Sequence, residues 1–244
     1  MLTYFICPIA TCQGRHDGSP YTYRANFGTS CKNAYYAWYI KGSNTNILVD
    51  TGARASTFWR KGGTSVTDLI TVENGLAKIG LTPEDIDIVI LTHLHGDHTE
   101  LASLYRKAKF IVQRKELEYA QHPHPIDAEL YDNRYFESLD FDIIDGDANI
   151  NSGISVFLTP GHTPGGQSVQ IHTALGEAII TGFCCSMGTF KQTEEMKRRG
   201  WEVSVPLIHH DVRDAYDSVL KVKQKADIIL SLHDPEYIGR KTVP

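Results

Sequence analysis

Apolar and polar residues fall along this chain in two textures: short apolar runs of strand length, and longer stretches with helical spacing. In the first half, Tyr35 to Ile40 and Asn46 to Asp50 are β-rich and predict strands. Ser65 to Ile79 follows, with Val66, Leu69, Ile70, Leu76 and Ile79 placed to share one helical face. Asp87-Ile88-Val89-Ile90-Leu91 is a continuous apolar run bounded by polar residues, the pattern of a strand buried on both faces. Asp97 to Tyr105 reads as a helix, Lys109 to Gln113 as a strand and Lys115 to Gln121 as a short helix. The second half gives a strand at Ile154 to Leu158, a hairpin from Ser168 to His172 with Glu177 to Thr181, a helix at Val212 to Lys223 and a last strand at Asp227 to Leu232. The alternation predicts an α/β fold. No linker or low-complexity tract interrupts the 244 residues, so 1–244 is expected to be a single domain.

Chemistry gathers where these strands end. Thr92-His93-Leu94-His95-Gly96-Asp97-His98 places three imidazoles and a carboxylate directly after the Asp87 to Leu91 strand. If the chain stays extended past Thr92, His93 and His95 point to one side and Leu94 points back into protein. Gly96 then permits a sharp bend, after which Asp97 and His98 face a neighbouring position, a spacing that suits two adjacent metals. With 11 histidines in the chain, chance would place three at these set positions on the order of 0.02 times, so the cluster is read as metal-binding. His162 follows the Ile154 to Leu158 strand within Thr159-Pro160-Gly161-His162-Thr163-Pro164-Gly165, and His233 follows the last strand.

His93-x-His95-x-Asp97-His98 resembles the signature of the metallo-β-lactamase superfamily of metal-dependent hydrolases. Leu48-Val49-Asp50-Thr51-Gly52, the Gly161 to Gly165 turn and Leu232-His233-Asp234 extend the likeness over most of the chain. With Leu81-Thr82-Pro83-Glu84-Asp85-Ile86-Asp87 leading into the motif, the chain is most similar to the acyl-homoserine-lactone lactonase branch. The resemblance implies a four-layered αβ/βα sandwich with the metals at one edge. It implies His93, His95 and His162 as ligands of one ion, and Asp97, His98 and His233 as ligands of a second. Such donors suit two zinc ions, with Fe or Mn tolerable beside the carboxylate. Asp50 is expected to orient a ligand imidazole rather than to bind metal. The implied reaction uses a metal-bound hydroxide to open a lactone or cleave a related ester, with Asp97 steering the hydroxide and returning a proton to the leaving group.

One position departs from the family. Where the family has a Thr-Gly-Asp sequence whose aspartate bridges the metals, this chain reads Thr181-Gly182-Phe183-Cys184-Cys185. Three arrangements would answer the loss: Cys184 as a sulfur ligand, a single-metal site, or a pair held by hydroxide with weaker binding of the second ion. The tyrosine that the lactonase branch places shortly after that aspartate is also missing, leaving Ser186 or an N-terminal tyrosine as the oxyanion donor. The aromatic segments Tyr21 to Thr29 and His122 to Tyr135 are candidate lids. His209-His210-Asp211 is read as the flank and cap of the helix from Val212.

Composition narrows the partners to small molecules. A formal charge of −5 and the lack of a basic stripe beyond Lys197-Arg198-Arg199 argue against nucleic acid. No run is long enough to span a bilayer, and the amino terminus lacks a basic leader, so the expectation is a cytosolic protein without a membrane partner. Five cysteines without a C-x-x-C pair fit a reducing compartment, with Cys7, Cys12 and Cys31 as packing residues. A homodimer is compatible with the resemblance. Three rivals share parts of the motif: a thioesterase of the glyoxalase II kind, a mononuclear iron oxygenase of the persulfide dioxygenase kind, and a metal-binding protein without enzymatic activity. The first two normally keep the bridging aspartate. Flavodiiron-type reductases carry Glu where this chain has His95.

Overall fold

Strand residues that alternate in direction build two cores at once, and the layering follows from that alternation. A computed structural model describes residues 3–23, 25–61 and 65–243. Its strands are β1 (Phe5–Asp17), β2 (Ser30–Lys41), β3 (Ile47–Val49), β4 (Ser65–Asp68), β5 (Ile88–Ile90), β6 (Lys109–Gln113), β7 (Phe141–Ile144), β8 (Ala148–Asn151), β9 (Ile154–Leu158), β10 (Gln167–Thr173), β11 (Gly176–Ile180) and β12 (Ile228–Leu230). The α-helices are α1 (Val72–Ala77), α2 (Gly96–Thr99), α3 (Arg114–Gln121), α4 (Met187–Phe190), α5 (Glu194–Arg199) and α6 (Val212–Lys225).

One sheet has seven strands in the order β4-β1-β2-β3-β5-β6-β7, the other five in the order β12-β11-β10-β9-β8. Ile47, Val49, Ile90 and Ile111 of the first sheet pack with Ile154, Val156, Ala178 and Ile180 of the second, forming the core between the sheets. The intervening residues face outward. Leu48, Val89, Phe110 and Val112 meet Val72, Leu76 and Ala120 of α1 and α3. Phe157 and Ile179 meet Ala215, Val219 and Val222 of α6. Both faces of each sheet are thus covered, giving the expected αβ/βα sandwich. Among the described residues, no helix is long and apolar enough to cross a membrane.

Two predicted helices are shorter than their patterns suggested. Ser65 to Ile79 divides into strand β4, which pairs with β1, and α1, which starts only at Val72 after the Thr71 hydroxyl caps the Asn74 amide. The polar-apolar-polar run Ser65-Val66-Thr67 obeyed the strand period, and tertiary pairing decided it. Asp97 to Tyr105 is α2 followed by a separate 3-10 turn at Ala102–Leu104. Strands β1, β7 and β8 and helices α4 and α5 had no counterpart in the sequence reading.

A buried amide pair locks the two sheets together beneath their strand ends. Gln113 Nε2 donates to Gln167 Oε1 at 2.9 Å, Gln167 Nε2 donates to the Leu91 carbonyl at 2.8 Å, and the Gln167 amide donates to the Thr92 carbonyl at 2.9 Å. Replacing Gln167 by Ala strips partners from buried groups, each costing about 1–3 kcal/mol when left unmet. Urea unfolding of Gln167→Ala should show that loss as a lowered midpoint with an unchanged slope.

Candidate metal centre

Each candidate ligand stands on the loop or short helix that follows a strand. His93 and His95 leave β5, Asp97 and His98 lie in α2, His162 follows β9, and His233 follows β12. Leu94 is fully buried in the outer core, so the extended stretch after β5 does direct His93 and His95 together to the opposite side. Donor atoms of His93, His95 and His162 lie within 4.8 Å of one another, and so do those of Asp97, His98 and His233. The two triads adjoin. The His93 and His98 rings are 4.1 Å apart, and Asp97 Oδ2 is 3.2 Å from His98 Nε2 and 3.7 Å from His233 Nε2.

The far nitrogen of most rings is tied down. His98 Nδ1 lies 2.8 Å from Asp50 Oδ2, His162 Nδ1 2.7 Å from the Ile208 carbonyl, and His233 Nδ1 3.3 Å from the Ala34 carbonyl. His93 Nδ1 lies 3.1 Å from the Thr92 hydroxyl, and its buried Nε2 has no hydrogen-bond partner. A buried imidazole nitrogen aimed into a ring of other imidazoles is costly unless something binds it. A cation with nitrogen and oxygen ligands satisfies all six residues, so the donor set fits a divalent metal pair.

Electrostatics support the same reading. Burial and the neighbouring imidazoles hold His93 well below the usual histidine range. Burial brings His162 and His233 down to about 4, so these rings are neutral with free lone pairs near pH 7. Burial also opposes charge on His98, but Asp97 and Asp50 outweigh it and raise the ring to about 10. Burial likewise disfavours the Asp97 carboxylate, yet His98 and its neighbours pull it well below the ordinary range. The second triad thus attracts positive charge, and a cation binding there displaces a proton.

Asp50 is fully buried behind the His98 ring. It accepts from the Thr92 amide at 2.8 Å and the Thr92 hydroxyl at 2.8 Å, besides His98. Glu116 of α3 went unnoticed in the sequence. Its buried carboxylate accepts the Leu94 amide at 2.9 Å and the Gly165 amide at 3.1 Å, joining the His93–His95 segment to the His162 turn. A Cβ on Gly165 would sit 2.2 Å from the Glu116 amide nitrogen, so only glycine allows this approach. Nothing local in the sequence distinguishes Glu116 from a surface helix glutamate. His210 and Asp211 donate their amides to the Gly161 carbonyl at 2.7 and 3.0 Å, and Asp211 caps α6 as predicted.

The candidate ligands line a pocket of about 220 Å³ whose walls include Tyr21, Tyr35, Phe58, Glu129, Leu130 and Cys184. Both aromatic segments proposed as lids reach it, through Tyr21 and through Glu129 and Leu130; Arg24, within the first, lies outside the described residues. Cys184 is buried in the wall and belongs to neither triad. Phe183 turns away into the outer core, 6.3 Å from the Phe190 ring. Ser186 does not line this pocket, whereas Tyr21 and Tyr35 do.

Comparison with known proteins places the chain in company. The family model of the metallo-β-lactamase superfamily matches residues 33–231. An N-acyl homoserine lactonase from Bacillus sp. is 31% identical over 217 residues, 79% of this chain and 82% of that protein. N-acyl homoserine lactonase AttM of Rhizobium radiobacter is 27% identical over 65% of this chain and 62% of its own. The structure of an N-acyl homoserine lactone hydrolase with the product N-hexanoyl-L-homoserine at its catalytic metal center superposes with a TM-score of 0.73 at 25% identity, covering 97% of this chain and 95% of that one. That of a quorum-quenching N-acyl homoserine lactone lactonase gives 0.74 at 26%, covering 97% and 94%.

Removing a hydrogen-bond partner behind a metal ligand typically lowers metal affinity about 10–100-fold. Asp50→Ala should therefore bind Zn²⁺ at least about ten times more weakly in competition with a chromophoric chelator. Unchanged affinity would take Asp50 out of the orienting role.

Proposed function

The chain belongs to the metallo-β-lactamase superfamily and is a metal-dependent hydrolase; we propose that it is a lactonase that opens the ester ring of an N-acyl homoserine lactone. Water adds across the ring C–O bond, the carbonyl carbon gaining a hydroxyl and the ring oxygen a proton. The observation that carries the reading is the pair of adjoining triads, His93, His95 and His162 beside Asp97, His98 and His233, within one partly aromatic pocket. Relatives of this chain bear the lactonase name at about 30% identity over most of its length.

His93, His95 and His162 would hold one zinc ion, and Asp97, His98 and His233 the other. When bound, the ions polarise the carbonyl and lower the pKa of water from 15.7 towards ~7. The protein does the rest. Asp50, Thr92, Ile208 and Ala34 fix the ligand rings through their Nδ1 atoms. Asp97 presents Oδ2 towards His98 and His233. Its Oδ1 is left to take the proton from the attacking water and return it to the departing ring oxygen. The neutral histidines supply no competing proton near pH 7. Tyr21, Tyr35 and Phe58 shield the reacting centre from bulk water, which strengthens every charge interaction inside. Cys184, in the wall with Asp97, is the sulfur donor available in place of a bridging carboxylate.

Metal analysis of the purified protein should find near two zinc ions per chain, and Cys184→Ser should lower that number or the affinity of the second ion. Unchanged stoichiometry and affinity in Cys184→Ser would remove the ligand role. Loaded protein should release acid from N-hexanoyl homoserine lactone, lose that activity to a chelator and regain it with Zn²⁺. In Asp97→Asn, kcat should fall by ~10²–10⁴ beyond any loss of metal. A fully loaded enzyme inert to lactones but active on thioesters or β-lactams would overturn the lactonase assignment.

A further inference from the structure

Three polar residues of β1 and β2 form a network at the edge of the metal pocket that the hydrolytic steps leave unused. Asn33 Nδ2 donates to the Tyr35 hydroxyl oxygen at 2.6 Å, and His16 Nε2 lies 3.1 Å from the same oxygen. Asn33 and Tyr35 are buried, whereas His16 is half-buried between exposed Arg15 and Asp17. The strand register explains the contact. Gly14 pairs with Asn33, His16 with Cys31 and Tyr35 with Cys12, so the His16 and Tyr35 side chains close over Gly14. A Cβ there would sit 3.0 Å from both His16 Nε2 and Asn33 Oδ1, and glycine leaves that space free.

Tyr35 faces the candidate ligands as well. Its ring centroid is 5.2 Å from that of His233, and both Tyr35 and His16 line the metal pocket. A phenol oxygen offers one proton and two lone pairs. Asn33 engages one lone pair, a neutral His16 carrying its proton on Nδ1 accepts the phenol proton on Nε2, and the second lone pair is left for a proton from the pocket. Burial lowers His16 below the usual histidine range against the pull of Asp97, so the ring is neutral and accepting near pH 7. Burial, with Asp97 adding to it, holds Tyr35 well above the ordinary phenol range, so the hydroxyl keeps a proton to pass on.

Hydrolysis needs such an outlet. An opened ester leaves a carboxylic acid that ionises at neutral pH, so each turnover releases one proton beyond the one that Asp97 returns to the ring oxygen. We propose that Tyr35 and His16 form a relay that carries this proton from the pocket to solvent, with Asn33 holding the phenol in place. The carboxyl O–H bond breaks as the Tyr35 oxygen takes its proton, the Tyr35 O–H bond breaks as His16 Nε2 takes that one, and the imidazolium releases its Nδ1 proton to water. Exchange with water restores the starting tautomer, and no redox change occurs. The proposal rests on the lactonase reading of the same site.

The test is turnover of N-hexanoyl homoserine lactone in weak buffer by zinc-loaded wild type, His16→Ala and Tyr35→Phe, with zinc content measured alongside. Both variants should hold as much zinc as wild type and lose at least about ten-fold in kcat. Dimethylimidazole, whose methyl groups disfavour metal binding, should restore His16→Ala by taking the proton from Tyr35. It should leave Tyr35→Phe slow, because that gap lies inside the pocket. A packing role for His16 would not respond to a soluble base. A His16→Ala kcat within about two-fold of wild type, a loss that the base does not restore, or a loss that follows the zinc content overturns the relay and leaves the lactonase reading standing. A Tyr35→Phe enzyme that matches wild type or recovers with the base does the same. Loaded wild type that opens no lactone overturns both readings. His16→Gln keeps the test decisive if His16→Ala does not fold.

Discussion

The centre depends on one buried carboxylate. Asp50 directly follows β3 with φ +54°, in the left-handed region that Asp and Asn tolerate better than most residues. That turn carries the side chain across to the end of β5, where it accepts the Thr92 amide and hydroxyl as well as His98 Nδ1. A fully buried carboxylate must be met by donors, and these three come from the segments that carry the His93 and His98 ligands. Solvating Asp50, orienting His98 and folding the turn before His93 are thus one event. The left-handed backbone is tolerated because these hydrogen bonds over-determine it.

The same logic repeats wherever ligand segments from different elements meet. Glu116 joins the loop after β5 to the turn after β9, and Gln167 joins the first residue of β10 to Leu91 and Thr92. Each connector is buried, polar and shared between ligand-bearing segments of distant sequence. Burial makes these contacts expensive to lose, since no water waits to replace the missing partner. The placement of the candidate ligands is therefore set by the sandwich itself. The two cores on either side of each sheet hold the strand ends in register, and the connectors transmit that register to the rings.

How much of this was legible in the sequence depends on the range of the interaction. The six candidate ligands stood out because strand-end histidines with a fixed local spacing carry a chemical signal, and the short apolar runs of β5, β9 and β11 announced strands by composition alone. Asp50 was readable from its Asp-Thr-Gly setting. β1 was not, because Phe5 to Asp17 mixes Pro8, Gly14 and several polar residues, and it becomes a strand through twelve residue pairings with β2. β4 was hidden inside a stretch that also satisfied helical spacing, and pairing with Cys12 to Arg15 decided between the two. Glu116 was invisible for a related reason. Its role exists only once the loop of Leu94 and the turn of Gly165 close around it, about 22 and 49 residues away in sequence.

The position that lacks a family carboxylate shows how the outer core and the metal site compete for one short segment. After β11, Phe183 is almost wholly buried and packs with Phe190, Val203 and Val219 on the α4–α6 side, facing away from the ligand rings. An aspartate there would have to leave that hydrophobic cluster or be stranded within it, and isolated charge in such a setting is strongly disfavoured. The ligand set is left with a single carboxylate, Asp97, plus the buried charge of Asp50 behind His98. Two dications in this site would then need another anion, such as a Cys184 thiolate, to screen their repulsion across a low-dielectric gap. The packing of Phe183 in the outer core thus leaves the segment after β11 with no carboxylate to offer the candidate ligands.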